Sequence, residues 1–187
     1  QERFRVVEVV QEEPYLEGSR DNVFKNTFYD QERILNICRE NGTKPEMECY
    51  DVGHIYSSAH WADKGVIEPP FWLQFIFGLM GGIGSSVDNL VLMKNTADKL
   101  FGKDYVFSVL AAGRYEFDFG TISAIMGGSV RVGLEDNLYL GKGELAKNNA
   151  DMVHKMVRIL RELSIDHASP QEARKILKLK GQRETNF

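Results

Sequence analysis

Cysteine is scarce: Cys38 and Cys49 are the whole supply in 187 residues. Two thiols are too few for a disulfide scaffold or a thiolate metal site, so a reducing cytoplasm is the expected compartment. Long hydrophobic runs are missing as well. The longest apolar stretch, Phe71 to Met80, is interrupted by Gln74 and Gly78 and falls short of the roughly 18 residues a membrane span requires. There is no basic excess. Lysine and arginine total 23 against 27 aspartates and glutamates, for a net charge of -4 and a pI near 5.6, which argues against a general nucleic-acid binder. No repeat, low-complexity tract or signal peptide is evident, and the chain opens on Gln1 rather than Met. That opening suggests a start cut from something longer.

What is present suits a soluble globular protein, with 43% hydrophobic and 27% charged residues. The length fits a single domain over 1–187, with 181–187 as a frayed tail. Arg3 to Val10 is rich in β-branched residues and predicts a strand, followed by a loop from Gln11 to Asn26. Asp30 is placed to cap a helix over Gln31 to Asn41, closed by Gly42. Lys44 to Asp51 reads as a strand with Glu46 and Glu48 on one face, which makes sense if that face looks into a polar site. A helical region over Ile55 to Lys64 follows. Phe71 to Gly78 and Tyr105 to Ala112 read as strands buried on both faces, separated by a helix that Ser85 or Ser86 caps. Thr121 to Met126 is helical, Glu144 to Leu163 reads as one long amphipathic helix with Leu145 and Val153 among its inward residues, and Ser169, Pro170 and Glu172 open a last helix to Leu179. Strand, loop and helix thus alternate about five times, which implies a parallel sheet with helical crossovers. A closed (β/α)₈ TIM barrel has eight such units in typically about 250 residues, so the expected fold is an incomplete barrel lacking its early units.

The most informative stretch is Ser129 to Tyr139, SVRVGLEDNLY. Val130, Val132 and Leu134 alternate with Arg131 and Gly133, and Glu135 and Asp136 follow where the strand should run into its loop. Carboxyl ends of parallel strands are where side chains converge on one open face. An arginine in an apolar strand must be paired, because an unpaired buried charge is costly. On a straight strand Arg131 and Glu135 would share a face about 13 Å apart and bracket a ligand rather than bridge each other. The plainer alternative is an internal ion pair that pins a barrel strand. Arg114, just past a strand end, is placed for a carboxylate, a phosphate or a surface salt bridge. His54, after another strand end, suits either ligand binding or a capping and packing role. Gly81 and Gly82 give only a weak signal for a phosphate cradle.

Six segments taken in order resemble the β-keto acid cleavage enzymes: Pro14 to Phe28, Lys44 to His54, Gly78 to Gly84, Ser108 to Arg114, Gly127 to Val153 and Ser169 to Gly181. VRVGLEDN is the most specific piece. The resemblance implies a zinc-dependent TIM-barrel acyltransferase that converts a β-keto acid and acetyl-CoA into acetoacetate and a new acyl-CoA. It implies Glu135 as a zinc ligand, Arg131 and Asp136 as catalytic groups, and Glu48 as a residue lining the substrate site. One departure is plain. The family's other zinc ligands form an H-x-H pair, whereas His54, His60, His154 and His167 include no two separated by one residue. Either these residues are the later part of a longer barrel, which is the favoured reading, or the metal has been lost. A different metal-dependent lyase or aldolase on the same barrel, and a non-catalytic truncated barrel serving as a binding module, stay open at this point. Exposed apolar surface on a partial barrel further predicts a homo-oligomer.

Overall fold

The computed structural model describes residues 17–181. The strand expected over Arg3 to Val10 lies outside them, as does the tail beyond Gly181. A single turn of 3-10 helix, Ser19–Asp21, precedes the first helix, α1 (Phe28–Glu40). Its N-cap is Thr27 rather than Asp30: the Thr27 hydroxyl accepts from Asp30 N, and Asp30, at the third helical position, reaches back to Thr27 N. The alternation then proceeds through β1 (Glu46–Cys49), α2 (Val52–Asp63), β2 (Phe71–Phe77), α3 (Val87–Phe101), β3 (Tyr105–Ala111), α4 (Glu116–Ile125) and β4 (Ser129–Val130). Ser86 supplies the cap of α3. The expected long helix is divided: Tyr139–Gly141 (β5) and Glu144–Leu145 (β6) form an antiparallel hairpin, and only Asn149–Glu162 is helical (α5). Asn148 accepts from Asp151 N and fixes that later start, so Leu145 is exposed on the hairpin and Val153 on the helix, while Met152, Met156 and Leu160 are buried. Helix α6 (Pro170–Leu177) opens with the expected Ser169–Glu172 capping box.

Strands β1 to β4 pair in sequential order and all in parallel. Each of the first three is followed by a helix that returns the chain to the next strand, so the fold is α/β and these four strands form an open arc of a (β/α) barrel. Side chains alternate across the sheet. Cys49, Leu73, Phe75, Phe77, Phe107, Val109 and Ala111 share one face and pack on Ile55 of α2 and Leu90, Met93 and Ala97 of α3. Full burial of a Leu or Phe is worth about 1.5–3 kcal/mol each, so this layer is the principal source of stability and holds the strands in register. The other face carries Glu46, Glu48, Gln74 and Ser108. Among the described residues no helix is long and apolar enough to cross a membrane.

Gly128 is where α4 and β4 press closest to β3. A Cβ built there would lie 2.3 Å from Phe107 Cε2 and 2.5 Å from Ser123 Oγ, and neither neighbour has free space, since Phe107 and Ser123 are both buried. Gly128→Ala should therefore cost about 1–3 kcal/mol through overpacking, read as a fall of several degrees in Tm. Gly53→Ala, in the first turn of α2 with nothing within 4 Å of its added methyl, is the control. It should be neutral or slightly stabilising.

Candidate active site

Register builds the polar face. Glu48 of β1 lies opposite Gln74 of β2, which lies opposite Ser108 of β3, which in turn lies opposite Ser129 of β4. Arg131 follows two residues on, its backbone still bonded to the sheet through Val109 O. Its guanidinium extends over this row. Nη1 donates to Glu48 Oε1 at 3.1 Å and to Gln74 Oε1 at 3.0 Å; Nη2 donates to Glu135 Oε2 at 2.8 Å; Nε donates to Asp136 Oδ2 at 3.0 Å. The expectation that an anion must accompany Arg131 holds. The expected spacing does not, because the strand ends at Val130 and the chain turns back: Asp136 N and Asn137 N both donate to Gly133 O at 3.1 Å. That turn brings Glu135 and Asp136 onto the arginine instead of leaving Glu135 about 13 Å along an extended strand.

Exposure separates the three carboxylates. The Asp136 side chain is 11% exposed and Glu48 40%, while Glu135 is 82% exposed. Asp136 is therefore the sheltered partner, and Glu135 is open to solvent. One cation faces three carboxylates, with Glu46 close behind. Burial pushes the Asp136 carboxyl above its ordinary range; Arg131 pulls the other way, and Glu135 and Glu48 add to the rise. Burial works against the charge on Arg131, but the Asp136 and Glu135 carboxylates outweigh it and its pKa rises. Tyr50, whose hydroxyl donates to Glu48 Oε2 at 2.8 Å, is pushed up to about 12 by burial and by that bond.

Glu46 and Gln74 underlie the arginine. Gln74 Nε2 donates to Glu46 Oε1 at 2.9 Å and to Ser108 Oγ at 3.1 Å, and Ser108 Oγ donates to the same Glu46 oxygen at 3.0 Å. With its amide nitrogen committed downward, Gln74 must present its oxygen to Arg131. A cavity of about 690 Å³ opens on this face, bordered by Glu46, Gln74, Ser108 and Arg131 and, across from them, by Ile176 and Leu177 of α6. The turn itself is tied to its surroundings: Gly113 N donates to Asp136 O, Leu134 N to Asn149 Oδ1, and Gly133 N to Glu116 Oε1, each at 2.8 Å.

The remaining candidates sit apart from Arg131. His54 lies in the first turn of α2, where its Nδ1 accepts from Tyr50 N at 3.0 Å. That bond ties the start of α2 to the end of β1, one step from the site through Tyr50. Arg114 occupies a 3-10 turn, Gly113–Tyr115, with its guanidinium 4.7 Å from the Tyr115 ring centroid and a hydrogen bond to the Tyr115 hydroxyl. It forms no ion pair among the described residues. Gly82 is explained by packing, since its amide donates to Leu79 O and a Cβ would lie 2.8 Å from Tyr50 O. His60, His154 and His167 are exposed, as expected. Gln74 and Glu116 were not singled out by sequence, whereas Glu46 was placed with Glu48 on the polar face. Gln74 inside an otherwise apolar strand and Glu116 inside a run of aromatics were the available signals, because a polar group in such a setting needs a buried partner.

Among the described residues, no three His, Cys, Asp or Glu side chains converge on a point that could hold a metal ion. Glu135 offers one carboxylate, against the three protein ligands usual for catalytic zinc. The described residues therefore do not form a complete zinc site.

A family model described as beta-keto acid cleavage enzyme matches residues 4–179. The 3,5-dioxohexanoate:acetyl-CoA acetone transferase of Paraburkholderia graminis is 50% identical over 186 residues, covering 100% of this chain and 60% of that protein. The 3-keto-5-aminohexanoate cleavage enzyme of Fusobacterium nucleatum is 36% identical over 160 residues, covering 86% of this chain and 57% of its own. In fold, the apo structure of ObcA matches with a TM-score of 0.65 at 14% identity, over 83% of this chain and 40% of that one. The chain thus spans about 60% of the length of these curated relatives. With its family match running over nearly the whole sequence and its Arg131 cluster built from the most specific segment, the chain belongs to the β-keto acid cleavage enzyme family.

Proposed function

We propose that this chain carries the arginine and carboxylate half of an active site that converts a β-keto acid and acetyl-CoA into acetoacetate and a new acyl-CoA. The observation that carries the reading is the Arg131 guanidinium, held by Asp136, Glu135 and Glu48 at the carboxyl end of a parallel sheet. The family match and the names of the relatives support the same activity. In this reading the protein is a cytoplasmic homo-oligomer.

Arg131 supplies a fixed cation with a planar fork suited to a carboxylate or a developing oxyanion. All its nitrogens are engaged in the free protein, so an anionic substrate must replace a partner. The exposed Glu135 and Glu48 can yield to it at the Nη atoms, whereas the sheltered Asp136 keeps Nε. Asp136, with its raised pKa, is a stronger base than an ordinary aspartate and takes or relays the proton, directly or through one water. Glu135 is the single zinc ligand that this chain supplies in the proposed enzyme, and the reading requires the others to come from outside these 187 residues. Zinc, when bound, contributes Lewis-acid polarisation of the substrate oxygens.

Arg131→Lys keeps the charge and loses the fork. It should lower kcat/KM for acetoacetate formation by about 10²-fold or more, measured as initial rates with a panel of β-keto acids including 3,5-dioxohexanoate and 3-keto-5-aminohexanoate. Acetoacetate formed without any need for CoA would replace the transferase with a lyase. Elemental analysis of the full-length protein should find about one zinc per chain, lost or much weakened in Glu135→Ala; a metal-free wild type that is fully active would remove zinc from the reading. The pH profile follows from Asp136. Because its pKa is raised and the ionised form is the base, activity should fall as pH drops through a value above the ordinary aspartate pKa of about 3.9. Asp136→Asn should abolish that limb together with most of the rate, and an unchanged acidic limb in the residual activity would exclude Asp136 as its source.

A further inference from the structure

We propose that Glu116 is the positioning residue that sets the direction of Glu135 and Asp136. The inference rests on the proposed function for its catalytic meaning but on the geometry of the turn for its substance. Glu116 is the first residue of α4 and is 1% exposed. Neither of its oxygens bonds to Arg131. Instead Oε1 accepts from Gly133 N at 2.8 Å and Oε2 accepts from Asn137 Nδ2 at 3.1 Å. Those two residues are the ends of the turn, with Glu135 and Asp136 between them, and the turn is closed on its other side by Gly133 O, which takes Asp136 N and Asn137 N. A single buried carboxylate thus holds both ends of the segment that aims the two functional acids.

The donor and acceptor count explains why this position carries a charge that is expensive to bury. The Asn137 amide cannot be reversed, because Nδ2 also donates to Tyr139 O at 2.7 Å and Oδ1 accepts from Tyr139 N at 3.0 Å. Position 116 therefore meets two N–H donors and must offer two acceptors and no donor of its own. Among side chains of this length only an ionised glutamate does so. A glutamine would satisfy Gly133 N with its oxygen and set its NH₂ against the NH₂ of Asn137. Burial raises the Glu116 pKa, but the two donated hydrogen bonds and the Lys155 ammonium of α5 support the charged form.

Release of one end of the turn should misdirect Asp136 and Glu135 without touching the fold's apolar layer. Misplacement of this kind costs about 10²-fold in rate. In the full-length protein, E116Q should lower kcat by about 10–100-fold with KM for acetyl-CoA changed less than about threefold and a melting curve close to wild type. N137D, which sets two carboxylates face to face, should do the same. The E116Q/N137D pair restores a donor opposite an acceptor between the two side chains, though not the bond to Tyr139 O, and should recover part of the kcat lost in N137D. Amide hydrogen exchange at Gly133, followed in the same proteins, should be at least about tenfold faster in E116Q. Wild-type kcat together with unchanged Gly133 exchange in E116Q overturns the proposal, as does a double variant no better than N137D. A wild type without transferase activity, but with Gly133 exchange accelerated in E116Q, sinks the proposed function and leaves the positioning role standing. Should E116Q not fold, N137D carries the same comparison with Glu116 left in place, and a wild-type kcat there overturns the proposal.

Discussion

One guanidinium organises the polar side of this molecule. Arg131 draws Glu48 from β1, Gln74 from β2 and both acids of its own turn onto a single planar group. The cluster is unbalanced, with three carboxylates to one cation, and it is only partly screened by water. Such an arrangement is unfavourable unless something offsets the surplus negative charge. The strain shows in the raised pKa of Asp136 and of Glu46 behind it, both driven first by burial, and Glu135 is left in solvent, where its charge costs least. What stabilises the fold lies on the other face. Phe75, Phe77, Leu73 and Val109 pack on α2 and α3 and hold the strands parallel in register, and this rigid layer lets Glu48, Gln74 and Ser108 stand in a row. The apolar face bears the energetic load, and the polar face is free to be chemically demanding.

Much of this was readable in the chain because it is local. Strand and helix alternation follows from periodicity, and the capping box at Ser169 follows from residue types three positions apart. The placement of Glu46 and Glu48 on one polar face followed from the two-residue period of a strand. The failures share a cause. The expected separation of Arg131 and Glu135 assumed an extended backbone, whereas two amides competing for Gly133 O fold it back. The helix expected from Glu144 was cut short by Asn148, whose side chain caps at Asp151 N, so Glu144 and Leu145 became one strand of a hairpin. Thr27 displaced Asp30 as a cap for a similar reason, since either residue type satisfies the rule and only the chain's entry angle decides. Glu116 was missed for a different reason: its partners lie 17 and 21 positions downstream, so the aromatics around it signal that it needs a partner without saying which.

The adjacency of Glu135 and Asp136 deserves a physical reading of its own. Two neighbouring carboxylates on an extended strand would point to opposite faces and serve different sides of the sheet. On a turn they diverge by less, so both reach Arg131 while meeting very different surroundings: one nine-tenths sheltered, the other almost fully in water. Like charges at such close range make it harder for both to ionise, and the difference in exposure decides which one takes up the strain. Asp136, sheltered, has its affinity for a proton raised above that of an ordinary aspartate. Glu135, exposed, is open to a cation arriving from solvent. Separate roles for two chemically equivalent groups therefore need no separate scaffolds. They need only a turn tight enough to place the pair on a single arginine and asymmetric enough to bury one of the two, and the bonds that Gly133 and Asn137 make to Glu116 and Gly113 makes to Asp136 supply both conditions.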